Sequence, residues 1–484
     1  MTDTGRLVTG VSPQIARMLW GTSQDSRAEL GRISTVDLAH VVMLTDQNVI
    51  GSEVAAELLT AISALREQDF APLDGIPTPR GLYLAYEGHL VDQLGERVGG
   101  VLHTGRSRND LNATCLLLAL RPVYQDLMSG LVRLGLVLLG RARQYRDVVM
   151  PAYTHYQAAV PITYGHYLVG VAGALAREAE AVESAARHLD RSPLGAGAVG
   201  GTTVPIDPAR TARLLGFGSA ALNSLDAVAS RDVVLRLLAS AATLGVVLNR
   251  VAVDLLTWST AEFGLVTVPD GCVGSSSMMP QKRNAFVLEH VQGRTADALG
   301  AFTGATAAMR GTPFTNSISV GTEGVSHVWR ALRSTTDAIT LLRTVISGTK
   351  PVVAVMTSRA ESGMTTATAT AERLVAAGTP FRRAHHEVGV SVRAVLAGQA
   401  ETLGEAVLAR GDADMEHLAA ADVRNAADFG GGPGPASFAH AWERLRGQWF
   451  THRDALTRQR QVWLAAHQDL DTAVRRIREQ GRHR

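Results

Sequence analysis

The chain has 484 residues, 46% of them hydrophobic, and a formal net charge of +2 from 47 basic against 45 acidic side chains. That supplies a large buried core, in roughly two or three domains. So balanced a charge excludes a global field for nucleic acid or for a membrane surface. The basic excess sits mostly in the tail at 475–484, read as a solvated helix end. Cys115 and Cys272 lie far apart, form no metal-ligand spacing and fit a reducing, cytoplasmic compartment. The N-terminal stretch lacks an apolar core with a basic flank, and the apolar run at 131–140 is interrupted by Arg133. Neither a signal peptide nor a membrane span is expected.

In chain order, apolar residues recur at helical spacing from residue 12 to about 66, as in Leu38, Val41 and Val42 and again in Ala55, Leu58, Leu59 and Ile62. The segment 68–81, rich in proline and glycine, breaks that pattern, and a second helix is predicted over 82–98. Then comes His103-Thr104-Gly105-Arg106-Ser107-Arg108-Asn109-Asp110, eight residues with no apolar side chain, beside the greasy run Leu116-Leu117-Leu118. Long helical patterns follow at 113–149, 161–189, 225–262 and 285–309. The first would span about 55 Å at about 1.5 Å per residue. Helices of that length, apolar over much of their circumference, want partners on several sides, so a bundle completed by other subunits is expected. No alternating strand pattern of any length and no internal repeat is visible. Past Lys350-Pro351 a smaller helical region is predicted over 364–378 and from Pro380 on, then a turn at 429–435 and one or two amphipathic helices over 439–484. Domain boundaries are placed near 110 and 350, giving 1–110, 111–350 and 351–484.

Four polar clusters interrupt this background: 103–110, Tyr153-Thr154-His155-Tyr156-Gln157, the Gly-rich loop 195–203, and Gly274-Ser275-Ser276-Ser277-Met278-Met279-Pro280-Gln281-Lys282-Arg283-Asn284. The last reads as a mobile loop carrying a nucleophile-sized oxygen, an ammonium and an amide, and equally as a Ser-rich linker with an incidental lysine. Lys282 and Lys350 are the chain's two lysines, every other cation being arginine. A compact point charge at Lys282 thus stands out against a background of planar forks.

These clusters resemble, in order and spacing, the argininosuccinate lyase branch of the fumarase/aspartase superfamily. Residues 103–110 match its arginine-asparagine block letter for letter. Tyr153-Thr154-His155-x-Gln157 with Pro161 matches its histidine block, and 275–284 its mobile serine loop. The resemblance implies an all-α, three-domain fold with a central long-helix bundle, completed in a homotetramer whose active sites each draw on three chains. The reaction it implies is anti elimination of fumarate from a succinyl adduct, an N-substituted aspartate, through an aci-carboxylate that needs preorganised cations and N–H donors. No cofactor, metal, nucleic acid or membrane partner is expected, only a small dicarboxylate substrate.

By the same resemblance Ser276 aligns with the catalytic base and Lys282 with the cation near it. A serine is a poor base unless loop amides and Lys282 stabilise its oxyanion. Asn284, Gln281, Ser277, Ser107, Arg108 and Asn109 align with substrate binders, and Thr154 with a carboxylate-binding hydroxyl. His155 aligns with the histidine proposed to pass a proton to the leaving group, and Glu289 with the acid that pairs with it. His385-His386 also matches a family doublet and is read as helix packing. Three departures bear on substrate. An Asp-Ile-His of the family is replaced by Gly81-Leu82-Tyr83. Its Tyr-Asn-Lys/Arg-Asp-x-Gln-Glu-Asp-Lys stretch is replaced by Phe314-Thr315-Asn316-Ser317-Ile318-Ser319-Val320-Gly321-Thr322-Glu323. Thr22 and Ser26 stand about where a serine and an aspartate touch substrate, with Asp25 adjacent. The sequence thus points to a leaving group smaller or less cationic than arginine, with a housekeeping argininosuccinate lyase and a catalytically silent structural homologue as alternatives.

Overall fold

The computed structural model describes residues 26–76, 78, 81–409 and 418–482. Its helices are α1 (Ser26–Asp46), α2 (Ser52–Glu67), α3 (Leu82–Leu94), α4 (Arg108–Gln144), α5 (Tyr164–Ala186), α6 (Pro208–Leu214), α7 (Ser224–Ala229), α8 (Asp232–Ser259), α9 (Phe286–Met309), α10 (Gly324–Gly348), α11 (Val353–Ser362), α12 (Ala367–Ala376), α13 (Phe381–Leu396), α14 (Leu403–Leu408), α15 (Ala420–Ala426) and α16 (Pro435–Arg482). The fold is all-α. An antiparallel hairpin, β1 (Val149–Thr154) and β2 (Gln157–Thr163), joins α4 to α5, so the expectation of no strand is corrected here. Its apolar and small residues do not alternate cleanly, which is why period-two reading misses it. A second, shorter hairpin pairs β3 (Gly274–Ser275) with β4 (Arg283–Asn284).

Helix α4 has the 37 residues foreseen, shifted five toward the N-terminus because a capping box starts it. The Ser107 side chain and the Asp110 carboxylate exchange bonds with each other's backbone N–H groups there. Pro122 sits inside the helix but on its exposed side. Leu120, Leu127, Leu131, Leu134 and Leu138 are fully buried and line the face on which α5 and α10 pack. Helices α4, α5, α8, α9 and α10 form the central bundle. Both α4 and α8 are long and apolar enough to cross a membrane, but each is packed among these neighbours. The sequence reading passed over α10, although Val328, Leu332, Ile339, Leu342 and Val345 recur at helical spacing and are buried.

The last helix closes the molecule. Over 48 residues α16 runs back along α2, α4 and α5, and it buries Trp449 completely. That indole lies where a side chain at Gly135 of α4 would have to be, so glycine is what lets the two helices approach. Arg121 is held beside them. Its guanidinium donates to the carbonyls of Leu215 (2.7 Å) and Gly216 (3.1 Å), and it lies 4.1 Å from the ring centre of Phe217 and 4.7 Å from that of Trp463. Helices α12 to α14 carry a small core of their own, formed by Ala371, Leu374, Ala384, Val388, Leu403 and Val407. His385 and His386 on α13 are exposed, so the reading of that doublet as helix packing is corrected.

Candidate active site

The 103–110 block is built as two layers. In the lower one, Arg106 and Asp37 form an ion pair of 2.5 Å with both side chains fully buried. Arg106 also donates to the Tyr83 hydroxyl at 3.0 Å. Tyr83 donates to Glu87 at 3.0 Å, and His103 Nδ1 lies 3.0 Å from Tyr83 and 3.1 Å from Glu87. Burial pushes the Glu87 carboxyl up, but His103, Tyr83 and Arg106 together outweigh it and hold it below its ordinary value. His40 Nε2 donates to the Thr104 carbonyl at 2.8 Å, and burial drives its imidazole well below the usual range, so it stays neutral. Sequence reasoning missed Asp37 and His40. Their signal was two polar residues three apart within the apolar run from Val36 to Val42.

The upper layer carries the predicted binders. Asp110 is fully buried, and its Oδ2 accepts from the backbone N–H groups of Gly195 (3.0 Å) and Gly197 (2.9 Å). Both glycines have positive φ, +100° and +62°, which a side chain would strain. One carboxylate therefore starts α4 and straps the Gly-rich loop to it. Asn109 Nδ2 donates to the Ala198 carbonyl of that loop at 3.1 Å. Ser107 is half-buried beneath, and Arg108 is exposed at the first position of the helix. Among the substrate departures, Thr22 and Asp25 lie outside the described residues, and Ser26 opens α1. Phe314 and Ile318 are exposed, at 65% and 70%.

His155 sits at the other end of α4. Register pairing of Thr154 with Gln157 leaves His155 and Tyr156 as a two-residue loop, at φ +52° and +63°. Such a turn prefers Asn-Gly, and a non-glycine residue in the left-handed region costs about 1 kcal/mol or more. Thr154, His155 and Tyr156 are exposed there, the hairpin being anchored by Tyr153 against Phe263 with ring centres 5.9 Å apart.

The serine loop is closed by β3 and β4 and tied down by Arg283, which pairs with Asp270 at 2.7 Å and donates to the Val268 carbonyl at 3.1 Å. At its tip Ser276 Oγ accepts from the backbone N–H groups of Met278 (3.3 Å) and Met279 (3.0 Å). Ser277, Gln281 and Lys282 are exposed, and Asn284 is half-buried in β4. Glu289 lies in the first turn of α9, exposed. Among the described residues no hydrogen bond joins Ser276, His155 and Glu289. The loop precedes the α9 terminus, which faces the end of α8 near the hairpin because Gly245 packs on Thr295 midway along the two antiparallel helices. One chain therefore gathers Ser107, Arg108, Asn109 and the Gly-rich loop at one end of the bundle, and the hairpin and serine loop at the other.

Residues 18–300 match the family described as Lyase, and residues 364–430 match the argininosuccinate lyase C-terminal family. An argininosuccinate lyase from Methanosarcina acetivorans is 34% identical over 359 residues, 74% of this chain and 72% of that protein. Among solved structures, an EDDS lyase in complex with formate superposes with a TM-score of 0.85 at 27% identity, over 98% of this chain and 97% of that one. A class II fumarase from Schistosoma mansoni shares the fold with a TM-score of 0.68 at 15% identity, over 84% of this chain and 92% of that one. The chain belongs to this lyase family, in the argininosuccinate lyase branch of the fumarase/aspartase superfamily. It is a carbon–nitrogen lyase.

Proposed function

We propose that the protein releases fumarate from an N-substituted aspartate by anti β-elimination, with Ser276 as base, in a homotetramer whose sites each combine segments of three chains. Ser276 takes the Cβ proton, the electron pair passes into the neighbouring carboxylate, and the Cα–N bond then breaks. The amine leaves with a proton supplied through His155. Arg108 and Asn109 hold a succinyl carboxylate, Thr154, Asn284 and Gln281 complete the binding, and Lys282 lies close to the charge that develops.

The observation that carries this reading is the pair of N–H groups aimed at Ser276 Oγ. Two donors on one oxygen stabilise its alkoxide, the form able to accept a proton from carbon. Separation of the polar segments along α4 supports a composite site, since one helix cannot bring its two ends together. The exposed, uncharged Phe314 and Ile318 support a leaving group less cationic than arginine, in a specialised biosynthetic role. The similarity to an argininosuccinate lyase favours the second reading, release of arginine and fumarate from argininosuccinate. A panel of N-substituted aspartates, with argininosuccinate included at millimolar concentration, separates the two by ultraviolet detection of fumarate. Turnover of argininosuccinate above every other adduct would establish the second reading. Fumarate from none of them would remove both.

A further inference from the structure

Arg231, immediately before α8, is 6% exposed. Its Nη1 donates to the carbonyls of Val228 (3.1 Å) and Ser230 (2.7 Å). Neither Nε nor Nη2 has a hydrogen-bond partner among the described residues, and no carboxylate pairs with the guanidinium there. A buried cation without a counter-charge is costly, and burial alone pulls this guanidinium down to about 10. The segment beside it supplies no counter-charge. Residues 314–322 carry no acidic side chain, and Glu323 is exposed. A side chain on Gly321 would begin 4.0 Å from Arg231 Nη2 and 3.1 Å from Asn316 Oδ1, so glycine leaves that nitrogen uncovered.

Arg231 also lines a cavity of about 200 Å³ together with Arg187, His188, Arg191, Asp226 and Asp232. Both acids already have partners, two of which, His188 and Ser230, lie on the cavity wall themselves. Asp232 is bound by Arg236 at 3.0 Å and lies 3.6 Å from His188, and Asp226 accepts from Ser230 at 2.8 Å. Arg191, at the rim, has no ion-pair partner among the described residues. Leu116 and Leu117 line the cavity from α4, eight and nine residues beyond Arg108, or about 12 Å along the helix.

We propose that this cavity is an anion subsite, centred on the Arg231 guanidinium, for a carboxylate carried at the far end of the leaving amine. The proposal rests on the elimination reading and names its substrate class: an extended amine bearing an anion at its far end. A planar guanidinium with its Nη2 free suits a carboxylate, and the aliphatic floor suits the chain that carries it.

Two measurements test it. The first compares N-(ω-carboxyalkyl)aspartates with N-alkylaspartates of equal length. Wild type is expected to favour the carboxylated series in kcat/KM by about ten- to a hundredfold, the worth of one charged hydrogen-bonded pair, and Arg231→Gln to bring that ratio close to one. The second needs no turnover: with fumarate saturating the succinyl site, acetate is expected to raise the thermal midpoint of wild type and not of Arg231→Gln. Arg191→Gln, at the exposed rim, serves if Arg231→Gln does not fold, and is expected to weaken the acetate response. Variants that fold and keep both the preference and the acetate response would overturn the proposal. Failure of every adduct to yield fumarate would sink the elimination reading instead, and the acetate comparison would still decide the anion site.

Discussion

Arg108 and His155 stand at opposite ends of one helix: Arg108 is the first residue of α4, which is about 55 Å long at about 1.5 Å per residue, and His155 tips the hairpin that follows its last turn. No motion of a folded chain brings them to one dicarboxylate. If both act on the same substrate, they do so from different protomers, and activity requires assembly. Specific activity is therefore expected to fall on dilution through the dissociation range while far-ultraviolet circular dichroism holds steady. Sedimentation velocity at the same concentrations locates that range.

Removing the Ser276 hydroxyl leaves the Met278 and Met279 N–H groups without the oxygen they serve. Ser276→Ala is expected to lower kcat by about a thousandfold or more, as loss of a proton-abstracting group does, while the dissociation constant for fumarate changes little. Single-turnover fumarate release and calorimetric fumarate binding check the two halves. Unimpaired turnover would remove Ser276 as the base.

Asp110 accepts from four backbone N–H groups, those of Ser107, Leu111, Gly195 and Gly197. Asp110→Ala leaves these donors unsatisfied in a buried place, so urea unfolding is expected to show a loss on the order of 2–4 kcal/mol. The Gly-rich loop loses its strap as well, and KM is expected to rise.

How much of this was legible in the sequence depends on the kind of signal. Polar residues that must face one another at a site stood out as clusters in an Ala/Leu/Val background, and long helices declared themselves by period. The hairpin did not, because a strand pair with Pro151, Ala152, Ala158 and Ala159 offers no alternation, and its left-handed turn uses His155-Tyr156 where glycine would have advertised it. Nor did the buried Arg106–Asp37 pair, whose partners lie far apart in sequence, one within a helical pattern and the other in the polar block before α4. Arg231 was passed over because it fell inside the single helical pattern read at 225–262, which the structure divides into α7 and α8 on either side of it, and a lone arginine there gives no hint that its counter-charge is missing.

His40 supplies a pH dependence with a definite sign. Its folded imidazole titrates well below the ordinary 6.5, so as pH falls below that value the unfolded chain takes up a proton that the native chain does not. Stability is then lost progressively from pH 6.5 downward, at up to about 1.4 kcal/mol per pH unit from this group. His40→Gln is expected to flatten that part of the urea-midpoint profile, and an unchanged slope would mean that other groups set it.

Gly135 tests the closing helix. Gly135→Ala drives a methyl group into the Trp449 indole, and overpacking of this kind is expected to cost about 1–3 kcal/mol, read as a lower thermal midpoint. Trp449→Ala, which removes the obstruction, should destabilise by itself yet relieve part of the Gly135→Ala penalty in the double variant.

Mixing two inactive proteins probes the composite site most directly. Arg108→Gln and His155→Asn homomers are dissociated, combined in equal amounts and reassembled, and fumarate release is measured against each homomer treated alone. Mixed assemblies in which some sites receive a native Arg108 segment and a native His155 hairpin from different chains should regain a substantial fraction of wild-type activity. Exchange of subunits confirmed by mass, with activity no higher than that of the separate homomers, would contradict a site shared between protomers.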